Sequence, residues 1–433
     1  GEGTTMGAET STWAGATRSE NRRLMERWWQ EMSTAEATGR PVAYVFVMGS
    51  LAELLRVFDC VINFPEITSL QTAMRGQSRD YLQAAEDAGY SPDICGYVKA
   101  DVGLQLRKGA HPYGTVPRPQ LVVATNMCNT YIKWSEIWEH MYGCPVFVLD
   151  LPAWRGTGAA GSDRDTFLGD LRYVEAQLRE LIALCEQVTG RAFDVDRLRE
   201  VMAEVNRMAA GYHAALALNR HRPAPFNAIR EGVIYQGISN LYRGTPEGTR
   251  FFEVVGHELQ ERVRQGQGAV PEEKFRLLLA GTACYAYFRR FAELFEEWGG
   301  VFVHSTYMVF AGGGFPPGFG YDLARPLESL AAQLLTSAWW GFSSPMFYPQ
   351  DWLAAVVQDW AVDGVCFHGV KSCRTTSTGL PDVREWLRTH RDIPGLFIQS
   401  DLVDPRLWSE AQIKNRIDAF FEALATRKDA VGR

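Results

Sequence analysis

Short apolar segments of strand length alternate with stretches of helical periodicity, and this alternation restricts the chain to α/β architecture with largely parallel sheets. The segments are Pro41–Met48, Gln120–Thr125, Pro145–Leu151, Phe275–Ala280, Gly300–Ser305, Gly364–His368 and Gly395–Ser400. They form two groups, because three precede residue 152 and four follow residue 274. Between the groups, Phe167, Leu168, Leu171, Val174, Leu178, Leu181, Ile182 and Cys185 recur at helical spacing from Asp165 until Gly190 stops the helix. Asp194 then reads as the N-cap of a second helix whose buried face carries Leu198, Val201, Met202, Val205 and Met208. The expected organisation is an N-terminal extension and first helix over 1–35, a first lobe over 36–160, a helical connecting region over 161–265, and a second lobe with a C-terminal helix over 266–433. In such sheets ligands bind beyond the carboxyl ends of the strands, so chemistry is expected on the loops that follow them.

Composition excludes several functions. A net charge of −7 over 433 residues, with no run of Lys or Arg, gives no field for nucleic acid or an anionic membrane surface. From Ser329 to Pro349 no residue is charged, yet Gln333, Thr336, Ser337, Gly341, Ser343, Ser344 and Pro345 interrupt the stretch. A buried helix through Leu330, Leu334, Leu335, Ala338 and Trp339 is expected there, not a membrane span. The first 17 residues have no basic region followed by an apolar core. Together with eight cysteines in a long chain, this points to the cytoplasm and to reduced thiols.

Two glycine-rich motifs do not carry nucleotide chemistry. Gly156-Thr157-Gly158-Ala159-Ala160-Gly161 matches G-x-G-x-x-G, but Pro152-Ala153-Trp154-Arg155 separates it from its strand and two helices follow in place of a second strand. Gly312–Gly320 lacks the Gly-Lys-Ser/Thr ending of a phosphate-binding loop and reads as a surface loop or lid. The eight histidines have no zinc spacing. His304 and His368 stand near strand ends, where each is a candidate proton donor.

Cysteine placement is more informative. Cys128 follows the strand at Gln120–Thr125, Cys373 follows the strand at Gly364–His368, and Cys95 follows a Tyr-Ser-Pro-Asp turn where a helix is expected to open. They are 33 and 245 residues apart, so no local clip joins them and only the tertiary fold can bring them together. Cys60 and Cys185 read as core. Spacing alone does not separate Cys144, Cys284 or Cys366 from the first three.

Resemblance makes that separation. Leu51–Leu55, Asp93–Asp101, Asn126–Lys133, Asp363–Arg374, Gln399–Arg406 and the helix Gln412–Phe421 resemble landmarks of the benzoyl-CoA reductase and 2-hydroxyacyl-CoA dehydratase family over about residues 25 to 425. The flanks Val98-Lys99-Ala100-Asp101, Tyr242-Arg243-Gly244-Thr245 and Lys371-Ser372-Cys373 are similar to those of B-type subunits of the ATP-dependent, class I reductases. The resemblance implies two Rossmann-like lobes and an iron–sulfur cluster on Cys95, Cys128 and Cys373. That cluster would be a 4Fe–4S cubane with one iron open, or a double-cubane 8Fe–9S cluster for which Cys144 is the first extra ligand to consider. Arg374, Thr375 and Thr376 would then face the cluster sulfurs or the substrate, and Phe315, Phe319, Trp339, Trp340 and Phe347 would be candidates for an apolar pocket. The implied reaction is reduction of the ring of benzoyl-CoA, or a close aromatic acyl-CoA, to a cyclic dienoyl-CoA. The implied partners are a homologous C-type subunit in a heterodimer, ferredoxin, and ATP-hydrolysing activator subunits with a second iron–sulfur cluster. A 2-hydroxyacyl-CoA dehydratase subunit and a cluster-free supporting subunit are the alternatives.

Overall fold

The computed structural model describes residues 13–155, 159–311, 315–341 and 350–432. Ten strands are present among them: β1 (Val42–Tyr44), β2 (Val61–Asn63), β3 (Ala110–His111), β4 (Gly114–Thr115), β5 (Leu121–Thr125), β6 (Val146–Leu149), β7 (Phe275–Ala280), β8 (Gly300–Ser305), β9 (Gly364–Val370) and β10 (Gly395–Ser400). Strands β3 and β4 form a small antiparallel hairpin. The other eight make two parallel four-stranded sheets, ordered β2-β1-β5-β6 and β8-β7-β9-β10.

Both sheets have the same topology. Counted within each sheet the order is second, first, third, fourth, so the chain reverses direction across the sheet between the first and third strands. A crevice opens at the carboxyl ends of the strands at such a switch point. Parallel strands need both faces covered, and β5, β7, β8 and β9 are buried along their whole length.

Each expected segment contains a strand, but the first is shorter than its apolar run, and β2 was not foreseen. Three residues are too few to show a period, and Val61–Asn63 becomes a strand through its register with β1, Val42 opposite Val61.

The connecting helices follow their capping signals. Arg164–Thr189 starts after Asp163, whose carboxylate accepts from the Asp165 and Thr166 N–H groups. Val195–Leu218 starts after Asp194, which accepts from Asp196 and Arg197. The described part of the uncharged stretch, 329–341, lies in the helix Pro326–Gly341, which packs on Arg164–Thr189. Leu330, Leu335 and Trp339 are buried there, and the Trp339 indole donates to the Pro152 carbonyl. No helix among the described residues is long and apolar enough to cross a membrane. Gly156–Gly158, Gly312–Gly314 and Phe347 lie outside the described residues.

Two interior features hold the first sheet's helices in place. The buried Asp101 carboxylate accepts from the Trp134 and Trp138 indoles, each at 2.8 Å. Helix Gly96–Leu106 meets helix Ser78–Asp87 so closely that a Cβ on Gly103 would lie 2.0 Å from the Tyr81 carbonyl oxygen.

Candidate functional site at the strand carboxyl ends

Cys128 and Cys373 occupy equivalent places in the two sheets. Each lies three residues beyond the third strand of its sheet, at the switch point, and each is the N-cap of the next helix, Asn129–Tyr142 and Arg374–Ser377. Cys95 is likewise the N-cap of Gly96–Leu106. These three cysteines are half-buried, whereas the other five are buried.

The sulfurs belong to one electrostatic neighbourhood. Burial pushes the Cys95 thiol well above its ordinary range, and the Cys373 and Cys128 sulfurs push it further. Burial likewise raises Cys373, with Cys128 adding to the effect. Nearby polar groups oppose this, the Val98 and Tyr97 N–H groups at Cys95 and the Thr376 hydroxyl and N–H at Cys373. Neighbouring thiols resist ionising together unless a cation shares their charge, while N–H groups near sulfur favour the thiolate. This donor set fits a metal cluster. Among the described residues no three His, Cys, Asp or Glu side chains are close enough to hold a single ion, but a cubane binds each thiolate at a different iron.

Hydrogen bonds fix the loops that carry the cysteines. Asp401 is fully buried, and its Oδ1 accepts from both the N–H and the hydroxyl of Ser372. Its Oδ2 accepts from Val403 and Asp404. The Gly96 N–H donates to Ser372 Oγ at 3.0 Å, joining the Cys95 and Cys373 loops across 276 residues of sequence. A Cβ on Gly96 would lie 2.7 Å from Asp401 Oδ2, so this approach requires glycine. Behind it, Arg406 makes a paired contact with Glu86, and Lys99 donates to Glu86 and to the Pro92 carbonyl.

Thr375 Oγ1 is 3.9 Å from Cys128 Sγ, linking the third cysteine's helix to the second cysteine. Thr376 is buried beside Cys373, and Arg374 is exposed. Cys144, the possible extra ligand, lies apart from these three cysteines. It precedes β6, at the amino edge of a parallel sheet whose carboxyl edge carries Cys128, and it is buried against the Trp138 carbonyl.

The two histidines are enclosed. Burial lowers both to about 4, so their rings are neutral near neutral pH. His368 uses both nitrogens, with the Thr282 carbonyl at 2.5 Å and Ser400 Oγ at 2.6 Å. His304 meets Trp352 and Trp360 edge-on. This geometry lends no support to either as a proton donor.

A different acid occupies the site. Glu66 follows β2 in the first turn of helix Pro65–Met74, where it accepts from the Val47 N–H at 2.8 Å and the Tyr131 hydroxyl at 2.9 Å. Burial pushes its carboxyl up to about 7. Tyr131 senses both Glu66 and Cys128, and Tyr307 senses Glu66 and Cys373. Tyr97 and Tyr285 are buried beside them, and the Tyr285 hydroxyl accepts from Thr282 Oγ1 at 2.9 Å. Glu66 and these tyrosines were missed because β2 was missed, and with it the loop where a functional residue belongs. The signal was Pro65-Glu66, a proline at a helix start directly after an apolar triplet.

Of the expected pocket aromatics, Phe319 and Trp340 line a small cavity of about 40 Å³ with Met48, Met127 and Tyr321. Phe315 packs edge-on against Phe319, and Trp339 contacts Trp154 and Phe167 in the core. A larger cleft of about 1170 Å³ has Glu66, Tyr97, Tyr285 and Tyr307 in its wall.

The family model for the D-component of 2-hydroxyglutaryl-CoA dehydratase matches residues 49–424. The chain belongs to this family. It is 33% identical to the B-type subunit of benzoyl-CoA reductase from Thauera aromatica over 92% of each chain. It is 26% identical to the (R)-phenyllactyl-CoA dehydratase alpha subunit of Clostridium sporogenes, over 87% of this chain and 88% of that one. The (R)-2-hydroxyglutaryl-CoA dehydratase alpha subunit of Acidaminococcus fermentans is 22% identical, over 95% and 98%. For this member of the D-component family, the matched region contains all three half-buried cysteines, Glu66 and the Asp401 network.

Proposed function

We propose that this chain is the iron–sulfur subunit of an enzyme that reduces the aromatic ring of an acyl-CoA thioester, with Cys95, Cys128 and Cys373 holding the cluster. The observation that carries the reading is the mutual electrostatic influence of three half-buried thiols, each capping a helix, two of them just beyond the third strands of two sheets of equal topology. When bound, a cluster on three thiolates supplies single electrons at low potential and keeps one iron open to an oxygen or sulfur donor.

The chain's own residues do the rest. Asp401, Ser372 and the Gly96 N–H hold the cysteine loops at a set separation. Thr375 and Thr376 place hydroxyls beside Cys128 and Cys373, where they orient the sulfurs and tune their basicity. Glu66, titrating at about 7, holds a proton near neutrality and can release it toward the cleft, where reduction of a ring requires protons. Burial of the tyrosine wall limits water at the same place. Electrons reach the site from an ATP-hydrolysing activator and ferredoxin, and a homologous C-type subunit completes the enzyme.

The dehydratase relatives favour one second reading, elimination of water from a 2-hydroxyacyl-CoA. Anaerobic turnover of benzoyl-CoA by the reconstituted subunits separates the two. A cyclic diene product with ATP consumed at every turnover supports the reductase. Turnover of a 2-hydroxyacyl-CoA with ATP needed only to start the reaction supports the dehydratase. A complex free of iron and sulfide refutes both.

A further inference from the structure

The loop after β10 carries Asp401, Asp404 and Arg406 against helices Ser78–Asp87 and Gly96–Leu106, which supply Glu86 and Lys99. Lys99 is 1% exposed, and its Nζ lies 3.0 Å from Glu86 Oε1 and 3.9 Å from Asp404 Oδ2. Arg406 reaches the same two acids, at 2.6 Å to Glu86 Oε1 and 2.8 Å to Asp404 Oδ2. Asp401 belongs to the same turn, yet among the described residues no lysine, arginine or histidine forms an ion pair with it. Two cations therefore offset two of the three carboxylates, and the charge of Asp401 is left over.

Neutral donors alone hold Asp401. Its Oδ1 accepts from the Ser372 N–H at 3.2 Å and from the Ser372 hydroxyl, and its Oδ2 accepts from the Val403 N–H at 3.2 Å and the Asp404 N–H at 3.0 Å. The Gly96 N–H donates to Ser372 Oγ at 3.0 Å, which turns the hydroxyl proton toward Asp401. Every partner is a donor, so this turn solvates a carboxylate anion. Hydrogen bonds from neutral groups stabilise a charge without cancelling it. Asp401 is fully buried, so water screens its field little.

That field reaches sulfur. Burial raises the Cys373 and Cys284 thiols, and the Asp401 charge adds to the rise at both. Ser372 and Gly96, bonded to each other and to this carboxylate's turn, directly adjoin Cys373 and Cys95 in the chain.

We propose that Asp401 acts as a buried anion without a counter-cation, which holds down the reduction potential of the cluster on Cys95, Cys128 and Cys373. The inference rests on the cluster reading above and deepens it. Gaining one electron makes a cluster one unit more negative, and a fixed anion beside its ligand loops opposes that gain. Lys99 and Arg406 keep the opposition to a single charge by neutralising Glu86 and Asp404.

The test is a redox titration of the anaerobically purified full chain, followed by electron paramagnetic resonance after iron and sulfide analysis. Asp401→Asn and Asp401→Ser remove the charge, and each should favour the reduced cluster about tenfold or more, an upward shift of about 59 mV for one electron. Lys99→Met removes a cation and should shift the potential downward. Ser372→Ala deletes a donor but keeps the charge, so its potential should lie at or below that of the wild type, whereas a role limited to holding the loops moves it with the neutral variants. An unchanged or lowered potential in a neutral variant that retains iron and sulfide overturns the proposal, as does a raised potential in Lys99→Met or Ser372→Ala. Loss of the cluster from both neutral variants assigns Asp401 to fixing the loops and overturns it too. A wild-type protein free of iron and sulfide refutes the cluster reading itself, whereas a wild-type cluster indifferent to Asp401 leaves that reading standing.

Discussion

Glu66→Gln isolates the acid of the site. The folded protein holds the Glu66 carboxyl at about 7, against 4.5 for an open chain, because burial in the β2 loop disfavours the charge more than Val47 and Tyr131 stabilise it. That difference corresponds to roughly 3 kcal/mol of tighter proton binding in the fold. The sign follows from linkage. Below about pH 4.5 both states carry the proton, and the stability is complete. As the pH rises toward about 7, the unfolded chain releases the proton while the folded chain keeps it, so stability falls by about 3 kcal/mol and then levels. Glutamine cannot titrate. The stability difference between variant and wild type should therefore shift toward the variant by about 3 kcal/mol from about pH 4.5 to about pH 7.5, measured as paired urea unfolding curves. A protonated carboxyl band titrating near neutrality in the infrared difference spectrum should vanish in the variant. A stability difference that stays flat with pH, with the band unchanged, would refute the assignment of a raised carboxyl to Glu66.

Three further outcomes follow from the packing. Cys95→Ala, Cys128→Ala and Cys373→Ala should each lower iron and sulfide in anaerobically purified protein, whereas Cys144→Ala, at the opposite sheet edge, should leave both unchanged. Asp101→Leu strands the Trp134 and Trp138 indole N–H groups in the core, and should cost about 3 kcal/mol in urea unfolding, visible also as altered tryptophan fluorescence. Gly103→Ala drives a methyl into the Tyr81 carbonyl and should cost about 3 kcal/mol or more, read as a lowered melting temperature.

Much of the fold was legible in the sequence because its signals are local. Asp163 and Asp194 announce helices by capping chemistry, and β7 and β9 announce buried strands by unbroken apolar runs. The cysteines on the loops after β5 and β9 were legible for the same reason, since a loop following a parallel strand is where ligands bind. What escaped was decided by partners distant in sequence. Val61–Asn63 is a strand only because β1 lies beside it, so Glu66 went unnoticed as a post-strand residue. Spacing did not separate Cys144 from the first three cysteines, and parallel pairing with β5 puts it at the opposite sheet edge from Cys128. His368 stands near a strand end, yet Thr282 and Ser400 occupy both its nitrogens.

The sequence by itself determined the two groups of parallel strands, the helices between them and the three cysteines worth asking about, because periodicity, capping and loop position act over a few residues. Only the tertiary structure decided which carboxyl is held protonated toward neutrality and which cysteine lies at the opposite sheet edge from Cys128. Desolvation and unmet hydrogen bonds depend on everything packed around a group, and the Asp401–Ser372–Gly96 contact that sets the site spans 276 residues of chain.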